Sequence, residues 1–386
     1  MFNFDSDQIS RIMFRIIPVL ILVFLAFSGA RSQESFYRHY NGMVGPNIQI
    51  VVDMVKSGDR LSGYYYYFFD EKSGDTAWTH YGKSMPIYGT ITDNQFEFSE
   101  FDPEVKGAVF AGTIENDSIE GTWKSADGKK QLPIRLKQSY PQGSMPFIAY
   151  YMNKSGPLFE NKLNPKASIA ISLLTPGEYT PANVADSVRY DIYDHFFDMP
   201  VTTGDPLFLL DSMKELYLSN YRKSNADIYQ EGAASFDWQK KKEVRILHNE
   251  KNILSVEFYD YGYTGGAHGL SLSNFHVFDL SDGHNISLDE VFRADYKNDL
   301  RDIINSAARR KYNLERNKPM TEAGFFVEFI DPTENFYITK DGIGFYYNQY
   351  EVAPFALGPV EIFVNYRELL RILHEESPVY RLISQN

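Results

Sequence analysis

Hydrophobic and polar residues alternate along most of residues 36–138, and turn residues interrupt this alternation at short intervals. A period of two is typical of β-strands with one buried face. Two hairpins are predicted here, over residues 85–101 and 108–123, and the first strand of each contains a Gly-Thr-Ile sequence, at Gly89–Ile91 and Gly112–Ile114. This repetition indicates an antiparallel β-meander or small barrel built from similar units.

Prolines and glycines cluster in residues 139–158, and no periodicity persists there, which is typical of a linker. In residues 159–386, strand-like segments are interspersed with stretches that have apolar residues every three or four positions. One helix is predicted to begin near Asn183. Another is predicted after Asp205, because Asp is a good N-cap and Pro206 suits the first helical position. The sequence predicts an α+β protein whose C-terminal domain packs helices on an antiparallel sheet.

A hairpin is predicted between residues 253–259 and 270–280. Its connection, residues 263–269, contains three glycines, which favours backbone conformations that other residues tolerate poorly. The turn can bind an anion through its backbone N–H groups, but a hairpin alone also explains the glycines. We predict a binding surface at this turn and at the aromatic run of residues 346–350. Its residues are Tyr263, Gly265, Gly266, His268, Tyr347 and Tyr350.

Residues 16–27 form an apolar run that follows Arg11 and Arg15 and precedes small residues. This pattern predicts a signal peptide over residues 1–30. The run is shorter than the roughly 20 residues that a helix needs to cross a bilayer. We expect an exported protein, periplasmic or extracellular, with no stable membrane span after cleavage. An uncleaved N-terminal anchor is the alternative.

Composition narrows the classes of function. The chain has 38 basic and 51 acidic residues, a net charge of −13, and no cysteine. An acidic chain without basic runs repels phosphate backbones, which excludes nucleic acid and favours a cationic partner. The lack of cysteine excludes thiol nucleophiles, thiolate metal sites and disulfides.

The spacing of the histidines argues against a metal site. His268 and His276 would face the same side of an uninterrupted strand, but at a separation on the order of 25 Å, too far to share a metal. His284 lies farther along the chain. We therefore predict no metal site and no cofactor. His268 is expected to fix the turn through a backbone hydrogen bond, and its use as a catalytic base with Asp260 is the alternative.

Two aromatic runs, residues 64–67 and 346–350, offer rings that can stack on sugars. Aromatic residues in strands also serve as core on one face and sheet surface on the other. The predicted barrel leaves a similar choice, because a small barrel either holds a ligand or is filled by its own side chains.

Several motifs of the C-terminal half occur together in one known family. They are Tyr263–His268, Phe278–Gly283, Leu288–Phe292, Phe336–Ile343 and Tyr350–Pro359. Residues 167–383 thereby resemble a secreted bacterial domain family of unassigned function. That family forms the extracellular part of the anti-sigma factor that senses lysozyme, and it accompanies the catalytic domain of some peptidoglycan deacetylases. The resemblance implies a mixed α+β fold and an envelope role, chiefly in binding.

We expect neither the signalling output nor the deacetylase activity of these relatives, because the sequence has no recognisable domain for either. The prediction is an exported, non-catalytic envelope module. Its partner is an envelope protein, for example a cationic one such as lysozyme, or a peptidoglycan-type glycan. A hydrolase or deacetylase-like enzyme acting on envelope polymers, and a barrel that carries a small ligand, are the alternatives.

Overall fold

A computed structural model describes residues 35–73, 76–101, 107–179, 181–197, 204–231 and 234–383. Residues Ser35–Asn386 form one compact unit. The predicted signal peptide lies outside the described residues. Among the described helices, none has the length and apolar character that a membrane crossing requires.

An antiparallel sheet makes up the N-terminal part of the described chain. Its strands are β1 (Ser35–Val44), β2 (Ile48–Ser57), β3 (Arg60–Ser73), β4 (Thr76–Tyr81), β5 (Met85–Thr92), β6 (Gln95–Glu100), β7 (Val109–Glu115), β8 (Ser118–Lys124) and β9 (Gln131–Gln138). Eight strands follow one another in the order β2-β1-β9-β8-β7-β6-β5-β3, and pairing of β2 with β3 closes them into a barrel. Strand β4 pairs with the C-terminal end of β3. The predicted barrel is confirmed.

Large apolar side chains fill the interior of this barrel. Tyr40, Phe98 and Phe110 are almost completely buried there, and the rings of Phe98 and Phe110 stack with centroids 4.7 Å apart. The described part of the barrel is therefore a packed core. This packing argues against the hypothesis that the barrel carries a small ligand.

The repeated Gly-Thr-Ile sequences mark places where neighbouring strands approach closely. A Cβ on Gly89 would lie 2.0 Å from the carbonyl oxygen of Glu97. A Cβ on Gly112 would lie 2.1 Å from that of Glu120, and Gly112 pairs directly with Gly121. Only a residue without a side chain fits at such positions.

A second sheet lies at the centre of the C-terminal part. Its strands are β10 (Phe147–Pro157), β11 (Lys166–Pro176), β12 (Trp238–Glu250), β13 (Ile253–Tyr263) and β14 (Leu270–Asp279), in that order. Strands β11 and β12 are parallel, whereas the other pairs are antiparallel. The sheet is thus mixed, because a helical crossover joins β11 to β12.

Strand β10 occupies much of the segment interpreted as a linker. Its side chains are mostly half-buried or exposed, because it lies at the sheet edge and pairs with β11 alone within its sheet. The weak hydrophobic pattern of an edge strand explains why the sequence indicated a linker there.

The remaining elements complete the C-terminal part. The helices are α1 (Ala182–Phe197), α2 (Pro206–Asn225), α3 (Leu288–Val291), α4 (Tyr296–Lys311), α5 (Tyr366–Leu369) and α6 (Tyr380–Ile383), with 3-10 turns at Ala234–Phe236, Met320–Ala323 and Phe355–Leu357. Strands β15 (Phe336–Ile338), β16 (Gly342–Tyr347) and β17 (Val360–Asn365) form a third, antiparallel sheet. As predicted, the Asp205 carboxylate caps α2 by accepting a 2.9 Å hydrogen bond from the backbone N–H of Leu207.

The two faces of the five-stranded sheet have different neighbours. Helices α1 and α2 cover one face, where Val256 and Val188 belong to a common core. The other face meets the three-stranded sheet and the barrel. There the hydroxyl of Ser255 donates to the carbonyl of Ile338 at 2.6 Å, and the hydroxyl groups of Ser57 and Ser172 lie 2.9 Å apart.

Candidate functional site

A cleft of about 510 Å³ opens where the barrel, the five-stranded sheet and the three-stranded sheet meet. Its barrel wall carries Tyr64 on β3 and Tyr88 on β5, both half-buried. The floor consists of the buried side chains of Leu247, Phe275 and Tyr337. The cleft is therefore lined by aromatic residues from distant parts of the sequence.

Leu247 reaches the cleft floor next to a β-bulge in β12. Ile246 packs in the core under the helices, and the next residue, Leu247, points to the opposite face and packs against Phe275 and Tyr337. The register between β12 and β13 shifts between Ile246 and His248. Leu247 is therefore the extra residue of the bulge, and His248 pairs with Ser255.

The aromatic rings of the cleft support one another. The ring centroid of Phe275 lies 5.1 Å from that of Tyr337 and 5.1 Å from that of Tyr346. On the barrel side, Tyr88 meets the exposed Phe101 edge to face at 5.4 Å. Rings held by other rings keep their orientation without a ligand, which reduces the entropy lost when a ligand binds.

A buried charge lies at the base of the cleft. The Glu257 carboxylate is 3.3 Å from the guanidinium of Arg245 and accepts hydrogen bonds from Ser273 Oγ at 2.6 Å and from the Tyr64 hydroxyl at 3.2 Å. Burial lowers the pKa of Arg245, but the charges of Glu257 and Glu243 outweigh burial and raise it well above its ordinary value. Burial, followed by the charge of Glu257, raises the pKa of Tyr64. Tyr64 therefore remains a protonated hydrogen-bond donor at neutral pH.

Charged groups also line the rim. Glu361 accepts a hydrogen bond from the Tyr337 hydroxyl, and its backbone carbonyl accepts one from Lys311 Nζ at 2.7 Å. Lys83 is exposed at the same rim. The cleft thus offers flat aromatic faces together with hydrogen-bonding and charged groups of both signs, a combination suited to a polar, ring-containing ligand.

The structure brings several of the residues predicted for binding together at the hairpin turn. The ring of His268 stacks on that of Phe355 with centroids 3.6 Å apart, and the exposed Tyr350 lies 5.9 Å from Phe355. His268 Nδ1 lies 3.1 Å from the carbonyl of Gly269. His268 therefore has the local backbone contact that we expected, and it forms a small aromatic patch with Phe355 and Tyr350.

The remaining turn residues define its shape. Gly265 and Gly266 have φ values of +98° and +97°, which a residue with a Cβ rarely adopts. The hydroxyl of Tyr263 donates to the carbonyl of Gly266 at 3.1 Å. This hydrogen bond holds the turn to the end of β13.

Two sequence-based hypotheses do not fit the structure. Tyr347 is 4% exposed and donates its hydroxyl to the carbonyl of Asp331, so it belongs to the core because its strand turns it inward. Asp260 is paired with Lys240 at 2.7 Å, whereas His268 contacts Phe355 and Gly269. The His268–Asp260 pair required by the hydrolase hypothesis is therefore not formed in the structure.

Two family models match parts of this chain. Residues 134–271 match the family described as "Deacetylase PdaC". Residues 289–367 match the family described as "Protein of unknown function (DUF3298)". Both matches fall mainly within the region compared above with a deacetylase-associated family, and they confirm that part of the resemblance.

Among curated proteins, the chain is 23% identical over 222 residues to the peptidoglycan-N-acetylmuramic acid deacetylase PdaC of Bacillus subtilis (strain 168). The alignment covers 56% of this chain and 47% of that protein. This chain thus spans about half the length of the curated relative.

Two solved structures are similar. A DUF3298 family member from Bacteroides fragilis has a TM-score of 0.59 and 27% identity, and the match covers 63% of this chain and 99% of that one. A DUF3298 family protein from Pseudomonas aeruginosa has a TM-score of 0.40 and 15% identity, and the match covers 60% of this chain and 96% of that one.

Sequence reasoning found part of the cleft. The two aromatic runs that it singled out supply Tyr64 and Tyr346, which lie on different sheets and line the same cleft. It missed Glu257 and Phe275, because one charged and one apolar residue in strands give no signal in the sequence that separates a cleft from ordinary sheet surface.

Proposed function

We propose that this protein is an exported envelope module that binds a peptidoglycan-type glycan in the aromatic cleft and releases it unchanged. The cleft carries this proposal, because Tyr64, Tyr88 and Tyr346 present rings around a space of about 510 Å³, a volume within the range of small-ligand sites. Aromatic rings stack on the apolar faces of sugar rings, and the neighbouring hydroxyls and charged groups bind sugar hydroxyl and amide groups.

Two further observations support an envelope role. The curated relative is, by its name, a peptidoglycan deacetylase, and the apolar run at residues 16–27 has the pattern of a signal peptide. Lys83 and Lys311 at the rim suit the carboxylates of a peptidoglycan strand.

Calorimetric titration with soluble peptidoglycan fragments tests this proposal. We expect saturable binding by the wild type and about 5- to 12-fold weaker binding by Tyr346→Ala, since stacking on a single sugar ring contributes about 1–1.5 kcal/mol. Tyr190→Ala is the matched control, because Tyr190 is a half-exposed tyrosine on α1, away from the cleft. His268→Ala distinguishes the cleft from the aromatic patch at the turn.

The bound glycan is recovered and analysed by mass spectrometry. An unchanged glycan together with weaker binding by Tyr346→Ala supports the proposal. Loss of binding in His268→Ala but not in Tyr346→Ala would move the site to the turn. Release of acetate or of cleaved fragments would identify the deacetylase-like or hydrolase alternative, and absence of glycan binding would refute the proposal.

A further inference from the structure

Helix α1 and strand β14 bring three metal-ligand residues together on the face of the five-stranded sheet away from the cleft. They are Asp191, His195 and His276, and one ligand atom of each lies within 4.8 Å of those of the other two. His276 Nδ1 is 2.7 Å from the Asp191 carboxylate, and His195 Nδ1 is 3.6 Å from it. We propose that these residues bind a divalent transition-metal ion.

The local structure explains why these side chains converge. Asp191 and His195 are four residues apart on α1 and so lie on one face of the helix. His276 and Phe258 lie on adjacent strands on the face of the sheet that α1 covers, whereas Phe275 and Glu257 face the cleft, since successive residues of a strand point to opposite faces. The sheet therefore separates this cluster from the proposed glycan site, and the two can be tested independently.

A fourth polar group completes the cluster and creates a conflict among its hydrogen bonds. The amide nitrogen of Asn285 lies 2.9 Å from His276 Nδ1 and 3.3 Å from the other oxygen of Asp191. His276 Nδ1 must carry a proton to donate to the carboxylate, and must lack one to accept from the amide. If the amide is rotated by 180°, its oxygen instead faces the carboxylate oxygen, and two acceptors meet without a hydrogen between them. A cation satisfies all these lone pairs at once.

The donor set indicates the class of metal. Two imidazoles and one carboxylate suit Zn²⁺ and neighbouring transition metals, whereas Mg²⁺ and Ca²⁺ prefer oxygen ligands. Ligands about 2.1 Å from a tetrahedral ion lie about 3.4 Å apart. The separations of 2.7 and 3.6 Å measured from the Asp191 carboxylate bracket this value, so small side-chain movements suffice to form the site.

The surroundings support an ordered site with one accessible side. The ring of Phe258 contacts both histidines, at centroid distances of 5.5 Å to His195 and 5.1 Å to His276. The carbonyl oxygen of Asp191 lies 3.0 Å from His195 Nδ1, and this hydrogen bond is given up when Nδ1 turns its lone pair to the ion. The side chain of His195 is 40% exposed, which leaves room for Asn285 or a water as the fourth ligand.

The test is a calorimetric titration of the metal-free protein with Zn²⁺. We expect one ion per chain, and binding at least about tenfold weaker in His195→Ala and in His276→Gln. Co²⁺ provides a second readout, because the visible spectrum of tetrahedral Co²⁺ reports nitrogen and oxygen ligands directly. Circular dichroism confirms that each variant is folded, and exposed His195 can be replaced with little risk to the core.

His284→Ala is the matched control. Its two ring nitrogens are paired with different carboxylates, Nδ1 with Asp282 at 2.6 Å and Nε2 with Glu290 at 2.7 Å, so the two carboxylates lie on opposite sides of the ring and do not share one ion with it. Binding that is retained in His284→Ala and weakened in the other two variants supports the proposal. Absence of stoichiometric binding, or equal binding by all variants, would show that Asp191, His195 and His276 form only a hydrogen-bonded ion pair.

Discussion

The imidazole of His39 on the barrel and the carboxylate of Glu250 on β12 form a buried ion pair between the two halves of the protein, with Nε2 and Oε1 3.4 Å apart. The other ring nitrogen of His39 lies 2.7 Å from Asp53. Next to this pair, Asn249 donates to the hydroxyl of Tyr37 at 2.8 Å and to the carbonyl of Met145 at 2.7 Å. The barrel is therefore fixed to the C-terminal part by charged and polar groups that are removed from water.

These contacts shift the pKa values of both His39 and Glu250. Burial lowers the pKa of His39, but the charge and hydrogen bond of Asp53, together with Glu250, outweigh it and raise the pKa from 6.5 to about 10. Burial raises the pKa of Glu250, but the hydrogen bond and charge of His39 bring it down from 4.5 to about 2.

Replacement of His39 is expected to destabilise the protein in a pH-dependent way. The stabilisation from His39 is fully present below pH 6.5 and is lost as the pH rises to about 10, whereas that from Glu250 is fully present above pH 4.5 and is lost as the pH falls to about 2. Both contributions are complete between pH 4.5 and pH 6.5. In this range His39→Gln should lower the free energy of unfolding by about 3 kcal/mol, and the loss should become smaller as the pH rises toward 10.

Urea denaturation across pH measures this effect. His268→Gln is the matched control, since this exposed residue lies outside the ion pair, and we expect its effect to stay within about 0.5 kcal/mol. A destabilisation by His39→Gln that is the same at all pH values would mean that the ring only fills space.

The close strand contacts of the barrel predict a second effect. Gly112→Ala places a methyl group against the carbonyl of Glu120 and the backbone of Gly121, and we expect a loss of about 1–3 kcal/mol in the free energy of unfolding. Gly262→Ala is the control, because a Cβ at that strand position meets no atom within 4 Å. Equal stability of the two variants in thermal unfolding would contradict this account of the Gly-Thr-Ile repeat.

The charge beneath the cleft predicts a third effect. Glu257→Ala leaves Arg245 buried with Glu243 as its one anionic partner among the described residues, so the free energy of unfolding should fall by about 3 kcal/mol. Glu368→Ala breaks an exposed pair with Arg310 and should cost less than about 1 kcal/mol. Chemical denaturation of both variants makes the comparison, and an equally small effect of Glu257→Ala would show that water reaches this site.

Salt dependence distinguishes the two classes of partner. Stacking on a sugar is nearly insensitive to screening, and exposed ion pairs from Lys83 and Lys311 to the glycan contribute less than about 1 kcal/mol. The affinity for peptidoglycan fragments should therefore change by less than about fivefold when salt is raised from about 0.05 to about 0.5 M. A cationic protein attracted by the net charge of −13 would lose at least about tenfold. Titration at several salt concentrations with both partners, lysozyme serving as the protein, decides between them.

The sequence by itself determined the local structure. Alternation predicted the barrel strands, the Asp205-Pro206 pair predicted the start of α2, and the glycines of residues 263–269 predicted the hairpin turn. These features depend on a few neighbouring residues, whose backbone preferences and periodicity can be read directly from the chain.

Only the tertiary structure decided which side chains share a site. Tyr64 and Tyr346 line one cleft although they are far apart in the sequence, and His276 meets Asp191 because a helix crosses its strand. Spacing along one strand predicted that His276 and His268 are too far apart to share a metal, but it did not reveal the side chains that α1 places beside His276. Strand pairing and helix packing set such distances, and both depend on burial of apolar surface throughout the chain rather than on any local pattern.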